Sequence, residues 1–237
     1  MRAPAVSTIL VLAVLAAVCA SASARPGPAL TAAVVRTERA RSEHYAIRVR
    51  LVQGGKRFSL RVRGQASART ISVSYSTGSL SAAALLDPTY LYERAPGGLA
   101  VDGMRWLRQP VASLAPGARE LANVHALTPA PLLVVLRSAH GGLDAAGRVF
   151  RGTVDYDSVS LHGIAVLLAG IQFRHLRISA FVGRDGLVHR LSLSGRTADG
   201  TARLALDAHL YAFGRPVHAS PPKPGTFMDT ELLQLAD

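Results

Sequence analysis

Residues 176–211, LRISAFVGRDGLVHRLSLSGRTADGTARLALDAHLY, decide the fold of this chain. Apolar and polar residues alternate in three runs, which are separated by glycine-containing turns at 183–186 and 195–200. Such alternation is typical of half-buried antiparallel strands joined by hairpins. It predicts a three-stranded meander with one apolar face, formed by Ile178, Ala180, Val182, Leu187, His189, Leu191, Leu193, Ala202, Leu204, Leu206, Ala208 and Leu210. Because a sheet buries its apolar face against a second layer, function depends on what covers this one.

Strands with the same alternation precede the meander. Residues 43–52 and 57–63 predict a hairpin that turns at Gly54 and Gly55 and has one apolar and one arginine-rich face. Further strands are predicted over residues 70–76, 89–93 and 149–156, and a last edge strand, ended by prolines, over residues 211–222. The pattern predicts an α+β domain with about eight to eleven strands and a few helices on one side.

Three segments are candidates for the covering layer. Residues 31–42 predict a short helix, and residues 128–139 fit a short buried helix, although a run this apolar also fits a strand. Residues 159–171, VSLHGIAVLLAGI, carry no charge, which is typical of a helix covered on nearly every side. We predict that this helix is the cover. Its stripe at helical spacing would face the meander across a cavity or pack directly on it, and consists of Ile164, Leu167, Leu168 and Ile171.

The first 24 residues have the composition of a signal peptide. Arg2 gives a positive start, residues 6–20 are apolar and uncharged, and residues 22–24 (ASA) fit a cleavage site. The apolar run is too short to span a membrane, so we expect one exported domain over residues 25–237. Cys19 is the lone cysteine, and a lipoprotein signal would attach lipid to it. Such a signal prefers a large aliphatic residue where Ala16 stands, so the pattern favours cleavage after Ala24.

The chain is strongly basic, with 27 Lys and Arg against 15 Asp and Glu and a net charge of +12. Many of its arginines stand singly at alternate strand positions, at Arg48, Arg50, Arg61, Arg63, Arg69, Arg177, Arg190 and Arg203. There is no basic block with interleaved aromatic residues, and this argues against nucleic acid as a partner. The spacing predicts a solvated outer face, which would also be attracted to an anionic membrane surface.

The sequence contains no motif typical of an enzyme. It lacks a Gly-x-Ser-x-Gly nucleophile elbow and a lysine-containing phosphate loop, and its eight histidines form no His-x-x-x-His pair. We therefore expect no catalytic residue, no metal and no cofactor. Asp155 and Asp157 would share one face of a strand as a carboxylate pair, but a strand end and a helix cap explain them more simply. The high apolar content with few converging polar groups favours a binding cavity.

The order of the pieces resembles a known family. A small helix and an amphipathic hairpin are followed by Tyr90-Leu91-Tyr92, Asp102-Gly103-Met104-Arg105-Trp106, a Pro-Leu-Leu helix from Pro131, Arg151-Gly152-Thr153-Val154-Asp155, an apolar helix, the run from Phe181 to Leu191, and the run from Tyr211 to Val217. This order is similar to that of the actinobacterial lipoprotein carriers of the LppX/LprAFG type and, more distantly, of the LolA/LolB carriers. The resemblance covers nearly the whole mature chain, and its motifs are mostly structural.

This resemblance implies a strongly curved antiparallel half-barrel with helices on its concave face. It also implies a hydrophobic cavity between them that takes acyl chains of lipids or lipoglycans. The residues expected to line such a cavity are Tyr90, Tyr92, Trp106, Leu133, Leu136, Ile164, Leu167, Leu168, Ile171, Ile178, Leu191, Leu193, Leu204 and Leu206. Members are usually lipid-anchored, and the residues before Cys19 depart from that pattern.

Two functional hypotheses follow. The first is an exported, monomeric, non-enzymatic protein of the cell envelope that binds a lipid or lipoglycan as a carrier or sensor. The second is a protein-interaction domain, like the periplasmic sensors that regulate envelope-stress anti-sigma factors and share the curved sheet. A closed core without a cavity would produce the same periodicity, so the sequence leaves these alternatives open.

Overall fold

The computed structural model describes residues 27–94, 104–114, 124–155, 173 and 175–230. Its helices include α1 (Pro28–Glu38) and α2 (Ala130–Arg137), with a 3-10 turn at Val111–Ser113. The strands are β1 (Ser42–Gln53), β2 (Lys56–Ser67), β3 (Ile71–Thr77), β4 (Leu80–Leu86), β5 (Tyr90–Arg94), β6 (Trp106–Pro110), β7 (His140–Leu143), β8 (Val149–Val154), β9 (His175–Val182), β10 (Val188–Arg196), β11 (Ala202–Tyr211) and β12 (Phe227–Asp229).

All the strands in the described ranges belong to one open sheet, in the order β12-β6-β5-β4-β3-β2-β1-β11-β10-β9-β8-β7. Neighbours are antiparallel except β6 and β12, which run parallel. Strands β1–β6 form one meander and β7–β11 another, and the pairing of β1 with β11 joins them. The predicted α+β class, a curved antiparallel half-barrel with helices on its concave face, is confirmed. The sheet has twelve described strands, one more than the highest predicted number.

The strand registers define two faces of this sheet, because residues directly opposite each other point to the same side. One face carries the core, and we call it the inner face. Its buried side chains include Tyr45, Ile47, Val49, Leu51, Leu60, Val62, Ile71, Val73, Leu91, Phe150, Ile178, Ala180, Leu191, Leu193, Leu204, Leu206 and Ala208. The other face, which we call the outer face, carries most of the arginines of β1, β2, β9, β10 and β11.

Helix α1 is fixed to the turn between β9 and β10. Its buried residues are Leu30, Ala33, Val34 and Thr37, at the i, i+3, i+4, i+7 spacing of one helical stripe. The Thr37 hydroxyl donates to the carbonyl of Ala33 and accepts from the backbone N–H of Val188, both at 2.8 Å. The Arg36 guanidinium donates to the carbonyl of Asp185 at 3.3 Å. These contacts tie the helical layer to the central meander.

Strand β10 contains a bulge that changes which residues enter the core. Its pairing with β9 shifts between Val188 and Arg190, so His189 is the extra residue. Val188 is therefore buried, whereas the prediction had placed Leu187 and His189 on the apolar face. That part of the prediction was wrong, and the predicted alternation resumes at Leu191. The His189 ring instead lies 2.9 Å from an oxygen of Asp185.

Four strands were not predicted: β4, β6, β7 and β12. The composition of β4 and of β7 is untypical of strands. Strand β4 reads LSAAALL, and alanine favours helix, but pairing with β3 and β5 overrides that preference. Strand β7 reads HGGL, and Gly141 lies so close to the backbone of Arg151 and Gly152 that a side chain there would collide.

The predicted edge strand over residues 211–222 is also wrong. Strand β11 ends at Tyr211, and Ala212 adopts a left-handed φ of 54° that turns the chain away from the sheet. Residues 212–226 are irregular, and their prolines lack the N–H that a ladder needs. The chain returns as the short strand β12, which pairs with β6.

The predicted cover helix over residues 159–171 and the predicted signal peptide lie outside the described residues. Both stay predictions. Among the helices that the structure does describe, none combines the length and the apolar character that a membrane span requires.

Candidate functional site

A cleft opens between the inner face and the helical layer, at the end of the sheet where β1 begins and β2 ends. It consists of two hollows of about 300 and 430 Å³ that share Ser67, Ala68, Ile71 and His125. We call the two hollows together the mouth cleft. Each volume falls in the lower part of the range of roughly 300–1,000 Å³ that is typical of small-molecule sites.

The two layers contribute different walls to the mouth cleft. The sheet supplies inner-face residues, because Glu43 stands opposite Ala66 and Ile71 opposite Leu86 in the strand registers. The helical layer supplies Thr37 from the end of α1 and Leu133 from α2; Thr128 lies just before α2. The cleft therefore leads in between the layers and is not a depression on the outside of one of them.

Polar contacts hold the rim of the mouth cleft in place. An ion pair between Glu38 and Arg137 links α1 to α2. The Thr128 hydroxyl donates to the carbonyl of His125 at 2.7 Å, just before α2 begins. The Ser67 hydroxyl accepts the backbone N–H of Thr70 at 3.1 Å and closes the turn between β2 and β3. These contacts order the segments on each side of the opening.

Glu43 is a titratable group of this cleft whose pKa is shifted by burial; the lining also contains Glu38, Arg69, Asp87 and His125. Burial raises the pKa of the Glu43 carboxyl from its usual 4.5 to about 7, because the ionised form loses hydration there. The neighbouring Tyr45 is fully buried on the same face, and burial, with a further contribution from the charge of Glu43, raises the pKa of its phenol. The Tyr45 hydroxyl has no hydrogen-bond partner among the described residues.

The structure brings seven of the predicted cavity residues together between the layers. Five lie on the inner face of the central meander, and two lie on α2. All are buried, with at most 3% of their surface exposed: Ile178, Leu191, Leu193, Leu204, Leu206, Leu133 and Leu136. Of these seven, Leu133 lines the mouth cleft.

Three predicted aromatic residues lie on the other side of the sheet. Tyr92 stands opposite Leu85 and Arg108, and Leu85 stands opposite the outer-face residue Ser72. Tyr90 lies two residues before Tyr92 in β5, and Trp106 two residues before Arg108 in β6, so both side chains point to the same side as Tyr92. The registers therefore separate them from the seven inner residues. The physical reason is that both Leu91 and Tyr92 are buried, so the alternation within β5 does not show which of them faces the core.

Tyr90 and Tyr92 belong to a cluster that attaches β12 to the sheet, whereas the ring of Trp106 lies under the Arg94 guanidinium, whose carbon is 5.5 Å from the ring centre. The Arg108 guanidinium stacks 4.6 Å from the ring centre of Tyr90 and 4.3 Å from that of Phe227. It also donates two hydrogen bonds to the Asp229 carboxylate, at 2.6 and 2.8 Å. Such a planar, two-point pair has a defined geometry, and it explains these aromatic side chains without a ligand.

Several predicted positions lie outside the described residues: Ile164, Leu167, Leu168, Ile171, Cys19 and Asp157. Asp155, the other carboxylate of the predicted pair, is exposed just after β8. Within the described ranges, no three His, Cys, Asp or Glu side chains are grouped so that they could hold a metal ion.

Apart from Leu133, sequence reasoning missed the residues that form the mouth cleft. Ser67, Ala68 and His125 lie at the ends of elements, and nothing in their own spacing indicates that they meet. The partial burial of Glu43 could have been inferred from the sequence. It lies two and four residues before the core residues Tyr45 and Ile47 in β1, so its side chain points to the same side. A carboxylate in phase with a buried stripe indicates a partly buried acid.

Comparisons with known proteins found similar folds among solved structures. No family model matches the chain, and no curated protein matches it. LprF from Mycobacterium bovis has 13% identity and a TM-score of 0.47, over 82% of this chain and 95% of that one. MucB has 12% identity and a TM-score of 0.32, over 85% and 63%.

A putative outer membrane lipoprotein-sorting protein domain from Vibrio parahaemolyticus has 7% identity and a TM-score of 0.27, over 80% of this chain and 93% of that one. The resemblance to LppX/LprAFG-type carriers that the sequence predicts is confirmed as a likeness of fold. The likenesses concern architecture alone.

Proposed function

We propose that this protein is an exported, non-enzymatic protein of the cell envelope that binds an acyl chain of a lipid or lipoglycan between its two layers. The mouth cleft is the observation that carries this proposal. It opens between the helical layer and an inner face whose fully buried side chains from β3 across to β9 are mostly apolar, with Glu43 of β1 at the opening. An extended hydrocarbon chain has the chemistry to enter there, because burial of apolar surface drives its binding.

The lining of the mouth cleft supports an amphipathic ligand over a purely apolar one. Ile71, Leu86 and Leu133 offer apolar contacts towards the interior. Ser67, Thr70 and His125 lie at the opening, where a polar head group would remain in water. The seven predicted residues that the structure brings together would form the deeper contact surface, and the protein would act as a monomeric carrier or sensor.

Native mass spectrometry of the purified protein, followed by lipid extraction, tests this proposal. We expect co-purifying lipid and saturable binding of a fluorescent fatty acid. Ala68→Trp tests the site, because Ala68 is exposed and lines both hollows, so an indole there obstructs the opening without overpacking the core. Ala145→Trp is the matched control, since Ala145 is an exposed turn residue that lines neither hollow.

The expected result is loss of fatty-acid binding in Ala68→Trp and full binding in Ala145→Trp. Equal binding in both variants would exclude the mouth cleft as the entrance. A wild-type protein that carries no lipid and binds no acyl probe would exclude the lipid function. The alternative of a protein-interaction sensor domain, of the type that regulates envelope-stress anti-sigma factors, would then be the hypothesis to pursue.

Export of the protein is part of the same proposal. Cleavage after Ala24 gives a mature chain that begins at Arg25 and no longer contains Cys19. The basic outer face would then hold the protein near anionic membranes only peripherally. Intact-mass analysis of protein from a native-like host tests this. A diacylglyceryl-modified chain beginning at Cys19 would contradict it and would place the protein at the membrane surface.

A further inference from the structure

The outer face carries a groove that is separate from the mouth cleft. It has a volume of about 1110 Å³ and crosses β1, β11, β10, β9 and β8. Its lining includes four arginines, Arg50, Arg177, Arg196 and Arg203, and no Asp or Glu. We call it the arginine groove.

The strand registers arrange these arginines around a floor of small side chains. One row across the sheet reads Arg50, Ala205, Ser194 and Arg177, each directly opposite the next. Two residues further along, Arg203 stands directly opposite Arg196. Neighbouring strands are about 4.8 Å apart, so Arg50 and Arg177 flank the floor at about 14 Å. Four guanidinium groups thus surround one shallow concavity.

The positive charge of this groove is poorly compensated within the described part of the chain. No carboxylate there lies within 4 Å of Arg177, Arg196 or Arg203, and Arg50 reaches Asp207 only at 3.8 Å. The adjacent turn contains Asp199. Its carboxylate accepts hydrogen bonds from Thr197 and Thr201 at 2.6–3.0 Å and, within the described ranges, forms no ion pair with an arginine of the groove. Like charges directly opposite each other on a sheet repel, so the Arg196–Arg203 pair calls for a counter-anion.

A second hollow on the same face provides a comparison. It has a volume of about 260 Å³, and its lining includes Arg48, Arg61, Arg190 and Asp207. Arg48 stands directly opposite Arg61, as Arg203 stands opposite Arg196. Here, however, Asp207 supplies a negative charge and lies 3.3 Å from Arg190. The two hollows differ in this acid, so the arginine groove is the one suited to an external anion.

We propose that the arginine groove binds a phosphate-bearing group. Arginine recognises phosphate through pairs of parallel N–H···O bonds, and several guanidinium groups in one concavity match the several oxygens of a phosphate or diphosphate. Thr153 and Ser194 add hydroxyl groups to the lining. This inference is independent of the acyl-chain proposal, because the groove lies on the opposite face of the sheet from the mouth cleft.

Binding of inorganic pyrophosphate, measured by isothermal titration calorimetry at low salt, tests the inference. The test variant is Arg196→Gln with Arg203→Gln, and the control is Arg48→Gln with Arg61→Gln. Both remove two exposed arginines that stand opposite each other on the same face. We expect saturable one-to-one binding to wild type. It should weaken by about tenfold or more in the groove variant, because hydrogen bonds to charged groups are lost. In the control it should stay within about threefold, since screening limits the effect of more distant charges.

Vesicles with and without phosphatidylglycerol separate the two sources of phosphate. If the groove variant alone loses vesicle binding, the ligand is a lipid head group. If it loses pyrophosphate binding but keeps vesicle binding, the ligand is a soluble phosphate compound.

Absence of pyrophosphate binding to wild type would overturn the inference. Equal weakening of binding in both variants would overturn it too, because it would indicate diffuse attraction by the basic surface. The inference would also be overturned if the protein bound duplex DNA more tightly than pyrophosphate and if DNA binding weakened equally in both variants. Because pyrophosphate has no acyl chain, these outcomes are distinct from failure of the lipid proposal.

Discussion

Replacement of Glu43 by Gln should remove a specific pH dependence from the stability of this protein. The Glu43 carboxyl has a pKa of about 7 in the folded chain and its usual 4.5 in the unfolded one, because burial penalises its ionised form. Between these two values the folded state binds more protons than the unfolded state. The free energy of unfolding therefore falls as the pH rises from about 4.5 to about 7, and it is unaffected by this group outside that window.

The pKa difference sets the size of the effect. Each pKa unit corresponds to about 1.4 kcal/mol, so Glu43 should lower the free energy of unfolding by about 3 kcal/mol between pH 4.5 and pH 7.5. Urea denaturation of wild type and Glu43→Gln from pH 4.5 to pH 8.5 measures it. We expect the difference between the two proteins to grow in favour of the variant by about that amount across the window.

Other carboxyls do not obscure this difference. Hydrogen bonds from the backbone N–H groups of Arg148 and Val149 lower the pKa of Asp144 below its usual 3.8, and the Arg108 guanidinium lowers that of Asp229. Their stabilising contributions are present above that range and are lost only as the pH falls below it. Glu38→Gln is a useful control, because Glu38 also lines the mouth cleft and its replacement leaves Glu43 in place. Parallel stability curves for wild type and Glu43→Gln would refute the assignment of a raised pKa to Glu43.

Three further predictions concern the two faces of the sheet. Gly64→Ala should destabilise the fold by about 1–3 kcal/mol, because its side chain would collide with the ring of Tyr45; in a thermal melt the control Gly142→Ala, which has open space, should behave like wild type. Tyr45→Phe should be neutral or stabilising by up to about 1–3 kcal/mol, since it removes a buried hydroxyl without a described partner; a clear loss in urea denaturation would mean that this hydroxyl has a partner in solution. Arg48→Gln with Arg61→Gln should leave the melting temperature nearly unchanged, because both side chains are exposed, and a collapse of the fold would contradict their placement.

The central meander was predictable because its sequence alternates cleanly and its turns contain glycine. The strand bounds of β9 and β11 follow the predicted runs, and Leu191, Leu193, Leu204 and Leu206 are buried as expected. The bulge at His189 was not predictable, because it depends on tertiary contacts. The backbone N–H of Val188 donates to Thr37 of a helix that lies about 150 residues earlier in the chain.

The faces of the outer strands could not be assigned from local alternation. In β5 both Leu91 and Tyr92 are buried, one in the core and the other in the cluster around Arg108. The face of each residue becomes clear only when the pairing of β3 with β4 and of β4 with β5 is followed across the sheet. Choosing the wrong one of two adjacent residues as the inward-facing one reverses the face of every side chain in the strand. This explains why the predicted aromatic cavity residues lie on the face away from the core.

The position of Glu43 connects the chemistry of the mouth cleft to its proposed use. A carboxylate that stayed ionised at the opening would oppose the entry of a hydrocarbon chain, because the chain would strip water from a charge. A pKa of about 7 means that the carboxyl can be neutral at little cost near neutral pH. The same group can therefore keep the empty cleft hydrated and yet admit an apolar ligand. On this argument, Glu43→Gln should bind a fluorescent fatty acid equally well at pH 6 and pH 8, whereas wild type should bind it more weakly at pH 8. Identical pH profiles for the two proteins would show that the ligand does not pass this residue.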